Sequence, residues 1–332
     1  MTASQRRPLL ALIVCLILAL VVMNAARGTS STGQRLAEEV QTAQPSGPPS
    51  RSAPDPVPRI AIAYDASGRD ARYNVLAREG AQRVVEVFEA EFLEVVAEPD
   101  DTDADFEERL TRLADERVGL IFVMGSAYAD ALAKIAPKYR GTWFGILDDG
   151  SVNERNVIGI LFNEEQGAFL VGVAAALTSK TGNVGFIGAV QNPLLQKYEA
   201  GFSAGARAAD PEGTVHVAYL AQPADDAGDS DPVQARKAAL RMYDAGADVI
   251  FAAAGDASDG VFEAARDRGL WAIGADSDKY LTADPSVRGS ILTSMLKRTD
   301  VATYQIGMEV ANGVPKDGNN VFGVGRDGVG YS

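Results

Sequence analysis

Arg59-Ile60-Ala61-Ile62-Ala63-Tyr64, running directly into Asp65-Ala66-Ser67-Gly68, is the stretch from which the fold can be read. The run is apolar from Ile60 onward, too short for a globular helix, and closed by a polar turn. Those are the features of a strand buried on both faces. A helical pattern follows the turn and continues to Glu89. The same unit then recurs: strand at 92–96, helix at 106–117, strand at 118–124, helix at 127–135, strand at 142–147. A second series begins with a helix at 164–178 and a strand at 183–187, then a helix at 194–209 and a strand at 214–220. It continues with helices at 232–245 and 260–268 and strands at 248–253 and 270–274. The tail adds a strand at 289–294, a helix at 298–313 and a short strand near Val321. Apolar strands spaced by helices predict parallel sheets covered on both faces. Two successive sets of about four units favour two doubly wound α/β lobes over a closed eightfold barrel.

Upstream of this domain the chain changes character. Residues 9–23 are an unbroken apolar run behind Arg6 and Arg7, the layout of a secretory signal. At about 1.5 Å per residue the run rises about 22 Å, short of a hydrocarbon core about 30 Å thick. Residues 1–26 are therefore expected to be a signal peptide, or a signal-anchor that is retained. Met23 or Asn24 stands three residues before the cleavage points after Ala25 or Ala26, where a small residue is preferred. Cys15 lies behind Leu12-Ile13-Val14 and reads as one more apolar residue of the run. Residues 27–58 contain Pro45-Ser46-Gly47-Pro48-Pro49 and Pro54-Asp55-Pro56-Val57-Pro58 and are expected to form a disordered, semi-extended tether. The folded domain is expected at 59–332, outside the cytoplasm and at the cell membrane, anchored or secreted.

Composition narrows the function. The 332 residues include 31 Lys+Arg and 45 Asp+Glu, a net charge of −14, which argues against nucleic acid as a partner. One Cys permits neither an internal disulfide nor a thiolate metal site. The one His, His216, alternates with Val215 and Val217 and reads as a sheet-face residue rather than a catalytic base. The only literal G-x-G-x-x-G is Gly323, Gly325 and Gly328, with four residues after it, so no helix can receive a pyrophosphate. No cofactor and no metal are expected, and the domain is expected to be a monomer.

Ligands of open α/β sheets bind beyond the carboxyl ends of the strands. The residues expected there are Asp65, Gly125 and Ser126, Asp148 and Asp149, 188–198, 255–259, and Asp276 with Asp278. The set is acidic, with aromatics at Tyr73 and Tyr198, and it holds no phosphate-cradling loop.

At these strand ends a family resemblance enters. Asp65-Ala66-Ser67-Gly68-Arg69-Asp70-Ala71-Arg72-Tyr73-Asn74, with Gly80 beyond it, resembles the first-strand motif of the basic membrane protein (BMP) family. That family comprises the extracytoplasmic nucleoside-binding proteins of ABC importers, similar to the purine nucleoside receptor lipoproteins. Asn163-Glu164-Glu165-Gln166-Gly167-Ala168-Phe169-Leu170-Val171-Gly172 and Ser179-Lys180-Thr181-Gly182-Asn183-Val184-Gly185-Phe186-Ile187-Gly188 resemble its next two segments. Tyr198-Glu199-Ala200-Gly201-Phe202, Gly274-Ala275-Asp276-Ser277-Asp278 and Ser294-Met295-Leu296-Lys297-Arg298 follow in the family's order. The resemblance covers about residues 59–331.

The resemblance implies a type I periplasmic-binding-protein fold, with two Rossmann-like lobes, three crossovers, a hinge and an interlobe cleft. Lobe 1 is expected at about 59–158 plus 279–312, and lobe 2 at about 159–278 plus 313–332. It also implies a nucleoside ligand of the purine class, with an ABC permease and ATPase as partners and no catalytic residues. Tyr73 stands where the family has a Phe that stacks on the base, and Tyr198 is the expected ring from the opposite lobe. A carboxylate suits the N–H donors of a base edge, which assigns Asp65, with Asn74 beside it in the motif. Ribose hydroxyls suit Asp276, and Lys297 can donate to the same sugar. Asp148 and Gly255 line the cleft on fold grounds. Plainer readings stand beside these: Asp65 as a helix cap, Tyr198 as a core residue over Phe202, Asp278 as the ligating acid instead of Asp276, and Lys297 as a solvated cation. The chain departs from the family in a first loop one residue shorter, in Arg72 where the family has Ser, and in Tyr for Phe at 73. A ligand sensor of the same fold is the alternative function. A nucleoside hydrolase is disfavoured, because such enzymes group their carboxylates around one Ca²⁺ near one strand end.

Overall fold

The computed structural model describes residues 59–70, 72–222, 228 and 230–332; the expected signal or anchor at 1–26 and the tether at 27–58 lie outside the described residues. Among the described residues, twelve strands form two six-stranded sheets. In the first, β1 (Arg59–Tyr64) lies between β2 (Glu91–Val96) and β3 (Leu120–Met124), followed outward by β4 (Trp143–Leu147), β5 (Val157–Phe162) and β11 (Gly318–Phe322). Every pair in it is parallel. The second sheet repeats the plan. β6 (Asn183–Val190) lies between β7 (Thr214–Ala221) and β8 (Val249–Ala253), followed by β9 (Trp271–Gly274), β10 (Ile291–Lys297) and an antiparallel edge, β12 (Val329–Tyr331). In each sheet the order reverses beside the first strand, the topological switch point at which such sheets bind ligands.

Several helices begin where the sequence supplies caps. After α1 (Arg72–Phe88), α2 (Asp103–Asp115) opens with a capping box in which the Thr102 amide donates to Asp105 Oδ2 at 2.7 Å. After α3 (Ala129–Ile135) and α4 (Glu164–Thr178), α5 (Pro193–Ala209) has Pro at its first position and Asn192 accepting from the Leu195 amide at 2.9 Å. α6 (Pro232–Asp244) repeats this device with Asp231 and the Gln234 amide at 2.9 Å. α7 (Ser258–Arg268) ends on Gly269 at φ 63°, the left-handed cap that glycine permits. Short α8 (Lys279–Thr282) and longer α9 (Thr299–Ala311) complete the set.

The chain passes between lobes three times: after β5, after β10 and after β11. α9 packs on α1 in lobe 1, and α4 packs on α5, β10 and β12 in lobe 2. Two expected boundaries are corrected by the strand order. The segment holding α8 and β10, expected in lobe 1, joins the second sheet, because β10 extends the parallel ladder of β9 and buries Met295 in that lobe's core. The segment holding β11, expected in lobe 2, joins the first sheet along β5. β5 itself was not expected. It follows β4 through a loop and not a helix, so no strand–helix alternation announces it. Asn156 secures that loop, its Nδ2 donating to the carbonyls of Ala136, Tyr139 and Thr142 at 3.1, 3.1 and 2.8 Å. The two open sheets exclude the barrel. Among the described residues, no helix is long and apolar enough to cross a membrane.

Candidate functional site

The carboxyl ends of the two sheets meet at one place. Lys297 closes β10 in lobe 2, and its ammonium reaches Asp148, the residue after β4 in lobe 1, at 2.7 Å. It also reaches Glu164, the first residue of α4, at 3.1 Å. Lys297 and Glu164 are 3% and 2% exposed, so this is a buried charge cluster rather than the solvated cation considered from sequence. Burial alone would lower the Lys297 pKa, but Asp148, Glu164 and Asp276 outweigh it and hold the ammonium charged well above its usual range.

Matching backbone features frame the cluster in both lobes. Asp148 at φ 60° and Asp276 at φ 67° are left-handed non-glycine residues, each just beyond the fourth strand of its sheet. Gly125 at φ 78° and Gly255 at φ 54° stand just beyond the third strands β3 and β8. Left-handed backbone at an aspartate costs energy that a turn does not require, and such residues concentrate at ligand sites. Asp278 caps α8, accepting from the Tyr280 amide at 3.0 Å, while Asp276 lines the pocket beside Tyr198.

Tyr198 donates its hydroxyl to Asp276 Oδ1 at 2.6 Å. Its ring stacks on Phe251, with centroids 6.3 Å apart and planes 27° apart, and the residue is 3% exposed. The ring thus sits in the core, the plainer of its two sequence readings, and its hydroxyl reaches the strand-end carboxylate of Asp276. Burial, Asp276 and Glu164 together raise its pKa well above the phenol value, keeping it a donor. Beside it lies a pocket of about 360 Å³ lined by Asn192, Leu194, Leu195, Tyr198, Gly255 and Asp276 among others. That volume falls within the range of small-molecule sites.

On the lobe 1 side, Asp65 organises the loop after β1. Its Oδ1 accepts from the Ser67 amide at 3.2 Å, from the Ser67 hydroxyl, and from Asn74 Nδ2 at 3.2 Å. The loop it holds leads into α1. Asn74 is fully buried and donates also to Ser67 Oγ and the Gly68 carbonyl, at 3.2 and 2.8 Å. Among the described residues, its Oδ1, the Tyr73 hydroxyl and the Ser277 hydroxyl are buried and find no hydrogen-bond partner. The Tyr73 ring lies under Lys297, with Nζ 5.5 Å from its centroid. Burial, then Asp148, then Asp276 and Asp65 raise the Tyr73 pKa; Asp148 lies near that hydroxyl without meeting hydrogen-bond geometry.

The expected residues therefore gather as two walls. Asp65, Tyr73, Asn74 and Asp148 come from lobe 1, and Tyr198, Gly255, Asp276 and Lys297 from lobe 2. Sequence reasoning missed Glu164, because the strand before it was missed; its place two residues beyond β5 would have marked it as a strand-end residue. His216 pairs with Gly185 inside the edge strand β7, away from the strand ends. Among the described residues no group of His, Cys, Asp and Glu is arranged to hold a metal.

Comparisons with known proteins agree with this geometry. A family model described as ABC transporter substrate-binding protein PnrA-like matches residues 57–332. The CD4+ T-cell-stimulating antigen of Listeria monocytogenes is 32% identical over 294 residues, covering 82% of this chain and 79% of that protein. Basic membrane protein A of Borreliella afzelii is 29% identical over 236 residues, 70% of each chain. Among solved structures, an ABC transporter solute-binding protein of Aeropyrum pernix K1 superposes with a TM-score of 0.66 at 26% identity, covering 82% of this chain and 76% of that one. The arabinose-binding protein AraP of Geobacillus stearothermophilus, with a TM-score of 0.63 and 15% identity over 83% of this chain and 97% of its own, shares the type I periplasmic-binding fold alone. By sequence, fold and the position of its cleft, this chain belongs to the Bmp family of PnrA-like ABC transporter substrate-binding proteins.

Proposed function

We propose that the protein encloses a nucleoside, a purine nucleoside first of all, between its lobes and presents it unchanged to the permease and ATPase of an ABC importer. The observation that carries this reading is the set of buried, unpartnered polar atoms where the strand ends meet: Tyr73 Oη, Asn74 Oδ1 and Ser277 Oγ. Buried polar groups are nearly always paired, and exceptions at three residues close to the strand ends are of the kind that a ligand with polar groups of its own would relieve.

The chemistry of the walls suits a flat base on a polyhydroxyl sugar. Asn74 Oδ1 and Asp65 accept from N–H groups of a base edge. Asp276, held by Tyr198, accepts from ribose hydroxyls, and Lys297 donates while offsetting the surrounding carboxylates. The Tyr73 ring supplies one apolar face, and Leu194, Leu195 and Tyr198 line the pocket on the other side. A stack is worth about 0.5–1.5 kcal/mol and a hydrogen bond to a charged group about 1.5–3 kcal/mol. One stack and three such bonds reach the roughly 8 kcal/mol of a micromolar site before ordering costs. An N-terminal signal or anchor with its tether would keep the domain at the outer face of the membrane, beside the permease.

Isothermal titration with adenosine, guanosine, inosine, cytidine and the free bases tests the reading. Heat-releasing binding of at least one riboside, recovered intact afterwards, is the expected result. Binding of none would overturn it, and release of free base would establish a hydrolase instead.

A further inference from the structure

We infer that the Tyr73 hydroxyl selects its ligand by a hydroxyl group on that ligand, one that accepts the phenolic proton and donates its own to Asp148. The inference rests on the nucleoside reading and assigns a partner to one sugar hydroxyl. A phenylalanine at this position would supply the stacking face equally well, so the oxygen needs a separate account.

Three observations lead to it. The Tyr73 oxygen is buried and, among the described residues, meets hydrogen-bond geometry with no group, Asp148 included, so no well-formed bond replaces the water it loses on folding. The group nearest in electrostatic effect is Asp148, with Asp276 and Asp65 behind it, so the oxygen faces carboxylates. The nearby cation points elsewhere: Lys297 directs two of its three N–H groups to Asp148 and Glu164, at 2.7 and 3.1 Å, and is not hydrogen-bonded to the Tyr73 oxygen.

A ligand group in this position must satisfy a phenol without meeting a carboxylate lone pair head-on. A carbonyl oxygen or an unprotonated ring nitrogen accepts from the phenol but repels Asp148. An amino group donates to Asp148 but accepts poorly from the phenol. A hydroxyl is both acceptor and donor and satisfies the two together. The inference concerns the hydroxyl alone; the ring's stacking role is unaffected by it.

The test is titration of the purified full-length protein and of Tyr73→Phe with adenosine, guanosine and inosine, each beside its 2′-, 3′- and 5′-deoxy derivative. Wild type should lose about tenfold in affinity for one of the three deoxy derivatives, and Tyr73→Phe should lose about tenfold for the parent riboside. That same deoxy derivative should then bind the two proteins equally. Parent binding unchanged in Tyr73→Phe overturns the inference and leaves the nucleoside reading standing. Equal losses for the parent and all deoxy derivatives also overturn it, because the hydroxyl would then be reading the base. If wild type binds no riboside, both readings fall together. The melting temperature of the unliganded proteins supplies a second measurement. An unpartnered hydroxyl predicts that Tyr73→Phe melts no lower than wild type, and a clear fall would show a partner within the protein and overturn the inference.

Discussion

Asp276 and Lys297 carry the most chemical consequence of any single residues in the cleft. Asp276 holds a left-handed backbone and already accepts one bond, from Tyr198, so its remaining acceptor capacity faces the cleft. Asp276→Ala is expected to weaken a bound riboside by roughly 10- to 100-fold, while leaving any free base that binds within about threefold. Equal losses for riboside and base in a titration would contradict the sugar assignment. Lys297 answers a different question. Replacing it with Met would leave half-buried Asp148 without its cation and buried Glu164 with Lys197 alone, at 3.4 Å, a loss expected at about 3 kcal/mol in urea unfolding, the lower end of the scale for a broken buried pair. The pH dependence has a definite sign. The folded pKa of Lys297 is raised, so its contribution is complete below the unfolded value of about 10.4 and is lost only as pH rises through the higher folded value. Wild-type stability should show no loss from this group between about pH 6 and about pH 9. Asp276 was legible as a strand-end candidate, and Lys297 only through the family resemblance. The depth of Lys297 was not, since a lysine beside an arginine before a helix reads equally well as a solvated cation.

Among the elements, α1 and α9 show how a motif glycine earns its place. A Cβ on Gly80 would collide with the Thr303 hydroxyl and the Asp300 carbonyl of α9. Thr303 also donates to the Ala77 carbonyl at 2.9 Å, which pins the two helices together. Gly80→Ala is expected to cost at least 1–3 kcal/mol, by the usual scale of about 1–3 kcal/mol for overpacking, and to lower the melting temperature by several degrees. A variant as stable as wild type would show that the helices can separate without loss. The same device joins α4 to α5, where Gly201 and Gly205 meet the carbonyls of Glu165 and Phe169. Gly80 and Gly201 stood in the quoted segments, but their partners lie in helices distant in sequence, so the reason for them was hidden. The helices themselves were readable because their caps are local: Asn192 before Pro193 and Asp231 before Pro232 mark two of the starts. The strand β5 lacked any such sign.

At the scale of the whole molecule, two lobes share one cleft and are linked by three crossovers and the Lys297–Asp148 pair. A ligand held by both walls favours the closed arrangement only through contacts that the open arrangement lacks. Saturation with a bound riboside at 100 times its Kd should therefore stabilise the protein by about 2.7 kcal/mol and raise its melting point by about 5–10 °C. Small-angle scattering should show a smaller radius of gyration on the same addition. A melting point unmoved by a riboside that titration shows to bind would contradict binding to the folded state.

The sequence by itself determined the alternation of strand and helix, the acidic strand ends and the family, because apolar periodicity, caps and motif spacing are properties of short stretches. Only the tertiary structure decided that β10 belongs with β9 and β11 with β5, since a strand joins the sheet whose ladder and core it completes. Only it brought Lys297 to Asp148 across 149 positions of chain, and Tyr198 to Asp276 across 78. Buried charges and hydroxyls take the partners that the packed lobes bring within reach, and no local spacing encodes that choice.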